Sequence, residues 1–268
     1  MNFDELPLLS EGLIEIQEQL KSRKPAIFLD YDGTLTPIVP NPEDAILTDE
    51  ARQMLKELSQ RCFLAIVSGR DRADVKNLVN LDELIYSGSH GFDTSGPDFS
   101  IQHEGGKKLL PQFDKAEKDL VEQLSKIPGA KVERKLFAIA IHYRHVDEHL
   151  VENVQKIADN CLNKYQGFKK AGGKKIIELK PDIDWNKGKA VLWLLNKFNL
   201  NQPDILPIYI GDDFTDEDAF SALKEIGGVG ILVGDHGQQS EANFKLDHPE
   251  EAVEFLKEMI QVLDGNQK

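Results

Sequence analysis

Two aspartates one residue apart, Asp30 and Asp32, end an apolar run at residues 26–29 and are followed at once by Gly33 and Thr34. Carboxylates held that close repel each other unless one is protonated or a cation lies between them. The pair therefore points to a metal site, an acid/base pair, or both. A solvent-facing Asp-Gly turn uses the same residue types, and the pair alone does not separate these readings. A second acidic cluster, Gly-Asp-Asp-Phe-Thr-Asp-Glu-Asp at 211–218, follows the apolar run 206–210 and repeats the arrangement. If both runs are strands of one parallel sheet, Asp30, Asp32, Asp212 and Asp213 converge on its carboxyl edge, where open α/β sheets bind ligands. Hard oxygen donors of this kind suit Mg²⁺, which keeps several waters and takes one or two carboxylates plus a substrate phosphate. The second cluster also reads as a turn with Thr215 or Asp216 capping the next helix, and the two roles are compatible. A calcium EF-hand is excluded, because its spacing needs Asp or Asn where Thr34 stands and Glu where Asn41 stands.

Two further pieces handle anions. Ser68-Gly69-Arg70 closes the apolar run 63–67, where a hydroxyl, nearby amides and a helix start could face a phosphate; ordinary turn chemistry gives the same tripeptide. Lys187 opens a predicted helix after Asp184-Trp185-Asn186, and a lysine there could neutralise a phosphoryl oxygen or keep an aspartate ionised, although a lone lysine is ordinarily solvated. Together the pieces support one mechanism. Asp30 attacks phosphorus to form an acyl phosphate, and Asp32 protonates the leaving alcohol and then takes a proton from the hydrolytic water. Metal and lysine offset charge on the transferring group. The Gly-Lys pairs at 173–174 and 188–189 are not P-loops, since no Ser or Thr follows and the upstream glycine is missing.

The elements that must position these residues follow from periodicity. Residues 49–60 carry Ala51, Met54, Leu55 and Leu58 on one helical face and precede the apolar strand 63–67, a βαβ unit with strand 26–29. A helix at 71–79 and a strand at 84–86 continue the alternation, which predicts a doubly wound parallel α/β sheet. The Gly/Ser/Pro-rich stretch 94–106 reads as a linker into a smaller α+β module. That module comprises a helix at 112–127, strands at 131–133 and 137–143, a helix at 147–164, and strands at 168–169 and 175–179. After Pro181 the first pattern resumes with helix 187–198, strand 206–210, helix 216–225, strand 229–233 and helix 249–263. The expected organisation is a core of 1–104 and 183–268 split by an inserted module at 105–182.

With 268 residues, a net charge of −14 and no basic cluster interleaved with aromatics, the chain is a poor match to nucleic acid or an anionic membrane. An anionic substrate then needs a cation and a few placed Lys or Arg residues. Cys62 and Cys161 lack metal or disulfide spacing and read as buried or neutral thiols. The first 25 residues show an amphipathic pattern through Leu13, Ile14, Ile16 and Leu20 rather than a secretion signal, and no run reaches the roughly 18 apolar residues of a membrane span. A cytoplasmic monomer is the expectation.

Asp-Tyr-Asp-Gly-Thr at 30–34, Ser-Gly-Arg at 68–70, Lys187 and Gly-Asp-Asp-x-Thr-Asp-Glu-Asp at 211–218 resemble, in order, the four motifs of the haloacid dehalogenase (HAD) superfamily in its phosphatase form. Finer features are similar to the trehalose-6-phosphate phosphatases: Gly-Ser-His-Gly at 88–91, Val-Glu-Arg-Lys at 132–135, His-Tyr-Arg at 142–144, and Gly-Lys-Lys-Ile-Ile-Glu at 173–178 with Lys180-Pro181. The resemblance spans residues 24 to 255. It implies Asp30 as nucleophile and Asp32 as acid/base. It also implies Mg²⁺ on the Asp30 carboxylate, the Asp32 backbone carbonyl and Asp212, supported by Asp213 and Asp216. Ser68, Gly69 and Arg70 would seat the phosphate, with Ser68 and Lys187 catalytic and His90 near the substrate. Glu133, Lys135 and Glu178 of a mobile cap would reach the sugar hydroxyls. The substrate the resemblance implies first is trehalose 6-phosphate, with glucosylglycerol phosphate or sucrose phosphate as the alternatives. A non-catalytic sugar-phosphate sensor is the alternative of a different class; such a domain would have lost Asp30, Asp32, Asp212 or Lys187, and all four are present.

Overall fold

The computed structural model describes residues 1–173 and 175–266; Lys174, part of the 173–178 motif, lies outside them. The chain forms two compact units, residues 1–101 with 185–268, and residues 102–184. In chain order the first unit opens with α1 (Leu9–Leu20), β1 (Lys24–Leu29), α2 (Asp49–Ser59), β2 (Phe63–Val67), α3 (Arg72–Val79), β3 (Ile85–Gly88), β4 (Asp93–Gly96) and β5 (Phe99–Gln102). The second unit holds α4 (Glu104–Leu124), β6 (Lys131–Lys135), β7 (Ala138–His142), α5 (Glu148–Lys164), β8 (Phe168–Gly173) and β9 (Ile176–Pro181). The first unit then resumes with α6 (Lys187–Lys197), β10 (Ile205–Gly211), α7 (Glu217–Glu225), β11 (Val229–Val233), β12 (Phe244–Leu246) and α8 (Pro249–Asn266).

The large sheet has the order β12-β11-β10-β1-β2-β3-β4-β5. Its neighbours from β12 to β3 pair in parallel, and β4 is antiparallel to β3. The chain builds outward from β1 in one direction through β2 and β3, and in the other through β10, β11 and β12. The order therefore reverses between β1 and β10, and a ligand crevice opens at the carboxyl ends of strands at such a point. Alternation along β1 feeds both faces: Ile27 and Leu29 join a core with Ile16 of α1, Met54 of α2, Val75 of α3 and Phe255 of α8, while Ala26 and Phe28 join Val191 of α6 and Phe220 of α7. Strands buried on both sides read as continuous apolar runs, the pattern seen in 26–29, 63–67 and 206–210.

The smaller unit is an antiparallel sheet of order β6-β7-β9-β8. Ile139, Ile141, Ile177 and Leu179 from one sheet face pack with Phe113 and Leu120 of α4 and Val154 and Ala158 of α5.

Three details differ from the sequence reading. The expected linker at 94–106 contains strands β4 and β5 and the first residues of α4. That helix runs from Glu104 straight through Pro111, and the apolar face of Phe113, Ala116, Leu120 and Leu124 holds it despite the lost hydrogen bond. Strand β12 was not anticipated; three residues are too few to show a period. No helix among the described residues is long and apolar enough to cross a membrane. Cys62 and Cys161 are free thiols, and burial pushes them up to about 12 and about 11 respectively.

Candidate active site

Asp30 follows Leu29, the last residue of β1, and its amide donates to Ile210 O of β10 at 2.9 Å, so the central parallel ladder runs to the edge of the site. The side chain is 7% exposed. Its Oδ2 lies 3.0 Å from Lys187 Nζ, whereas Oδ1 is buried without a hydrogen-bond partner. A buried anionic oxygen left unpaired is costly, and a cation is the natural complement. Burial pushes the Asp30 carboxyl up to about 7, with Lys187 opposing the shift and Asp216 adding to it.

Asp212 stands one residue beyond β10. One oxygen atom each from Asp30, Asp212 and Asp216 lie within 4.8 Å of one another. Burial, then the charges of Asp30 and Asp216, push the Asp212 carboxyl up to about 8. Gly33 has φ +75°, and a Cβ there would fall 2.0 Å from Asp212 Oδ2, so the turn after Asp32 must be glycine for Asp212 to keep its place.

The three carboxylates are not equivalent. Asp216 is fully buried, and its Oδ1 accepts from Lys187 Nζ at 2.7 Å and Tyr209 Oη at 2.5 Å. Its Oδ2 accepts from the amides of Asp212 at 3.2 Å and Asp213 at 2.9 Å. A carboxylate has about four lone-pair sites, and protein donors take all of them. Asp216 thus anchors Lys187, while Asp30 and Asp212 keep oxygens for a cation. Burial pulls the Lys187 ammonium down, but Asp216 and Asp30 outweigh it and the net shift is upward. Three carboxylates against one ammonium leave two negative charges in excess, which a divalent cation balances. The donor set fits Mg²⁺.

Lys187 reaches this point because Asn186 caps α6, accepting from Lys189 N at 2.9 Å and starting the helix where the lysine can turn inward.

Asp32 faces a different partner. Arg70 Nε and Nη2 donate to its two oxygens, each at 2.7 Å, and the same guanidinium donates to Asp74 at 2.8 Å and to Pro42 O at 2.6 Å. Arg70 also lies over the Tyr31 ring, 5.6 Å from its centroid. Arg70, expected at a phosphate seat, forms a bidentate clamp on the second aspartate.

Ser68 is buried at the end of β2, and its Oγ accepts from Arg70 N at 3.1 Å, which leaves its O–H to donate. The 68–70 turn is stitched to the next loop: Ser89 N donates to Arg70 O at 2.6 Å and His90 N to Ser68 O at 3.0 Å. Ser89 and His90 both have positive φ (50° and 55°), a strained conformation for residues with side chains. A Cβ on Gly69 would meet His90 Cε1 at 2.8 Å, so the imidazole lies directly against the 68–70 turn.

In the smaller unit Glu133 and Lys135 lie on β6 and Glu178 on β9. Glu133 Oε2 is 2.7 Å from His142 Nε2, and Lys135 Nζ donates to Glu178 Oε1 at 3.2 Å.

The profile of the family described as Trehalose-phosphatase matches residues 28–250 of the chain. The chain belongs to this family. Trehalose-phosphatase relatives include the probable trehalose-phosphate phosphatase D of Arabidopsis thaliana, 41% identical over 258 residues that cover 92% of this chain and 70% of the relative. The probable trehalose-phosphate phosphatase 4 of Oryza sativa subsp. japonica is 39% identical over 252 residues, covering 92% of this chain and 69% of that one. Among solved structures, the C-terminal domain of C. albicans trehalose-6-phosphate phosphatase superposes with a TM-score of 0.76 at 26% identity, covering 96% of this chain and 98% of that one. As a trehalose-phosphatase family member of the HAD type, the protein is a phosphatase.

Within this trehalose-phosphatase core, the structure brings together Asp30, Asp212 and Lys187 from three separate stretches of chain. Asp213 is exposed, with its Oδ2 accepting from Thr215 Oγ1 at 3.3 Å. Sequence reasoning missed Tyr209, whose hydroxyl reaches Asp216. The signal was present, since Tyr209 is the one polar-tipped residue in the apolar run 205–210. It also placed Asp216 as a supporting residue without seeing that Lys187 depends on it.

Proposed function

We propose that this phosphatase hydrolyses trehalose 6-phosphate to trehalose and phosphate, with Asp30 as nucleophile. The carrying observation is the asymmetric environment of Asp30, one oxygen on Lys187 and the other buried and unpaired. The substrate follows from the family match over residues 28–250 and the two plant relatives.

In this reading the Asp30 carboxylate attacks phosphorus, an Asp30 O–P bond forms, and the bond from phosphorus to the sugar oxygen breaks. Asp32 gives its proton to the departing oxygen. Water then attacks the aspartyl phosphate, Asp32 takes a proton from it, and inorganic phosphate leaves with Asp30 regenerated. Arg70 Nε and Nη2 donate to both Asp32 oxygens, so one of these two bonds must open before Asp32 can carry the proton it gives in the first step. Lys187 opposes the burial that raises the Asp30 carboxyl and places positive charge beside the transferring group, and the Ser68 hydroxyl with the Gly69 turn seats its oxygens. Mg²⁺ held by Asp30, Asp212 and the Asp32 backbone carbonyl would stabilise charge on the phosphoryl oxygens. The 102–184 unit serves as the cap, with Glu133, Lys135 and Glu178 accepting or donating to sugar hydroxyls, and its closure would exclude water from the intermediate.

The test is a phosphate-release panel with trehalose 6-phosphate, sucrose 6-phosphate, glucosylglycerol phosphate and glucose 6-phosphate, with Mg²⁺ or with chelator, beside Asp30→Asn. Trehalose 6-phosphate should have the highest kcat/KM, chelator should abolish turnover, and Asp30→Asn should be inactive. Full activity of Asp30→Asn, or another panel member turned over more efficiently, overturns the mechanism or the substrate respectively.

A further inference from the structure

The inserted unit carries a polar constellation whose members lie on different strands. Residues opposite each other in an antiparallel pair share a face. The register sets Glu133 opposite Ala140, Ala140 opposite Glu178, Lys135 opposite Ala138 and Lys131 opposite His142. Strand alternation then places Glu133, Lys135, His142 and Glu178 on the face turned away from the core of Ile139, Ile141, Ile177 and Leu179. On that face each carboxylate is held through one oxygen by a basic partner: Glu133 Oε2 by His142 Nε2 at 2.7 Å, and Glu178 Oε1 by Lys135 Nζ at 3.2 Å. The backbones of Glu133 and Glu178 are two strand spacings apart, about 10 Å, and the residue between them is alanine, with nothing beyond Cβ.

The geometry points to His142 as a positioning residue for sugar recognition. By engaging Oε2 it fixes the Glu133 side chain and leaves Oε1 to accept from a sugar hydroxyl, as Lys135 does for Glu178 and its Oε2. Two oriented acceptors flanking an alanine suit a ring with hydroxyls on its rim. A glutamate that had to be immobilised on binding would lose side-chain entropy at that moment, and His142 removes that cost beforehand. The His142 and Glu133 side chains are 39% and 45% exposed, so the pair adds little to stability and its loss should show in substrate binding instead. This inference rests on the reading of the 102–184 unit as the part that receives the sugar.

The experiment compares wild type, His142→Ala, His142→Gln, Glu133→Ala and the double variant Glu133→Ala/His142→Ala, using trehalose 6-phosphate and p-nitrophenyl phosphate with thermal melts alongside. His142→Ala should raise KM for trehalose 6-phosphate about fivefold or more, with kcat and the p-nitrophenyl phosphate rate within twofold and an unchanged melting temperature. His142→Gln, whose amide N–H reaches the place of Nε2, should recover most of the KM. The double variant should match Glu133→Ala, because two residues acting through one contact are not additive. An unchanged KM in His142→Ala, equal damage to both substrates, or additive losses overturn the His142 assignment alone. Wild type that hydrolyses p-nitrophenyl phosphate but not trehalose 6-phosphate overturns the substrate reading, and with it the assignment.

Discussion

Lys187 Nζ donates to Asp216 Oδ1 at 2.7 Å with both side chains closed to solvent, and the same nitrogen lies 3.0 Å from Asp30 Oδ2. Asp216 therefore acts on the site through the lysine. Its remaining acceptor sites are taken by Tyr209 and two backbone amides, so the lysine is pinned at the one place where it can serve Asp30.

Replacing Lys187 with Met leaves Asp30 and Asp216 buried without their shared cation. Breaking a buried pair from one side costs about 3–5 kcal/mol. The metal-free variant should melt on the order of 10 °C lower than metal-free wild type, and phosphate release should fall at least about 100-fold. Scanning calorimetry and a phosphate assay check both, and a variant that melts like wild type would show that the pair is not anchored as described.

Asp212→Asn should separate stability from function. Burial, with the charge of Asp216 adding to it, pushes the Asp30 carboxyl up to about 7, and burial, then the charges of Asp30 and Asp216, push the Asp212 carboxyl up to about 8. The folded state therefore binds more protons than the unfolded chain between the ordinary carboxylate range near pH 4 and pH 7–8, and metal-free stability falls as pH rises through that window. A neutral side chain at 212 removes one repelling charge. In chelator, Asp212→Asn should melt several degrees above wild type at pH 8, with the gap closing towards pH 5, while activity is lost. A lower melting temperature at pH 8 would contradict the repulsion.

Gly33→Ala should act on the cation requirement. The added methyl falls 2.0 Å from Asp212 Oδ2 at a backbone with φ +75°, so the carboxylate must move. Misplacing a ligand oxygen typically lowers metal affinity about 10-fold or more. The Mg²⁺ concentration giving half-maximal rate should rise by that factor, and titrating rate against Mg²⁺ measures it.

Arg70→Lys keeps the charge and loses the fork that grips both Asp32 oxygens. If Arg70 governs the proton carrier, kcat should fall about 10- to 100-fold, with KM for trehalose 6-phosphate little changed. A raised KM at constant kcat would place Arg70 on the substrate phosphate, as the tripeptide Ser68-Gly69-Arg70 suggests from sequence.

Asp30 and Asp212 were legible in the sequence because each ends a run apolar enough to be a doubly buried strand, and parallel strands deliver their carboxyl ends to one edge. Periodicity likewise carried most helices and strands of both units. It failed at Pro111, where apolar contacts of the following turns hold a helix that local chemistry would stop, and at β12, too short to have a period. Glu133, Lys135 and Glu178 were visible as charged positions on strands, but not their pairing, because Glu133 and His142 meet only through the register of β6 on β7.

By itself the sequence determined the element alternation, the acidic strand ends and the family, since all three rest on local pattern and residue order. Tertiary structure alone decided which partner each charge takes: Arg70 goes to Asp32, Asp216 to Lys187, and Asp30 keeps an unpaired oxygen. The reason is distance along the chain. Asp30, Lys187 and Asp216 come from separate segments, and ion-pair energies fall off with separation in space, which only the folded sheet and its capped helix α6 set.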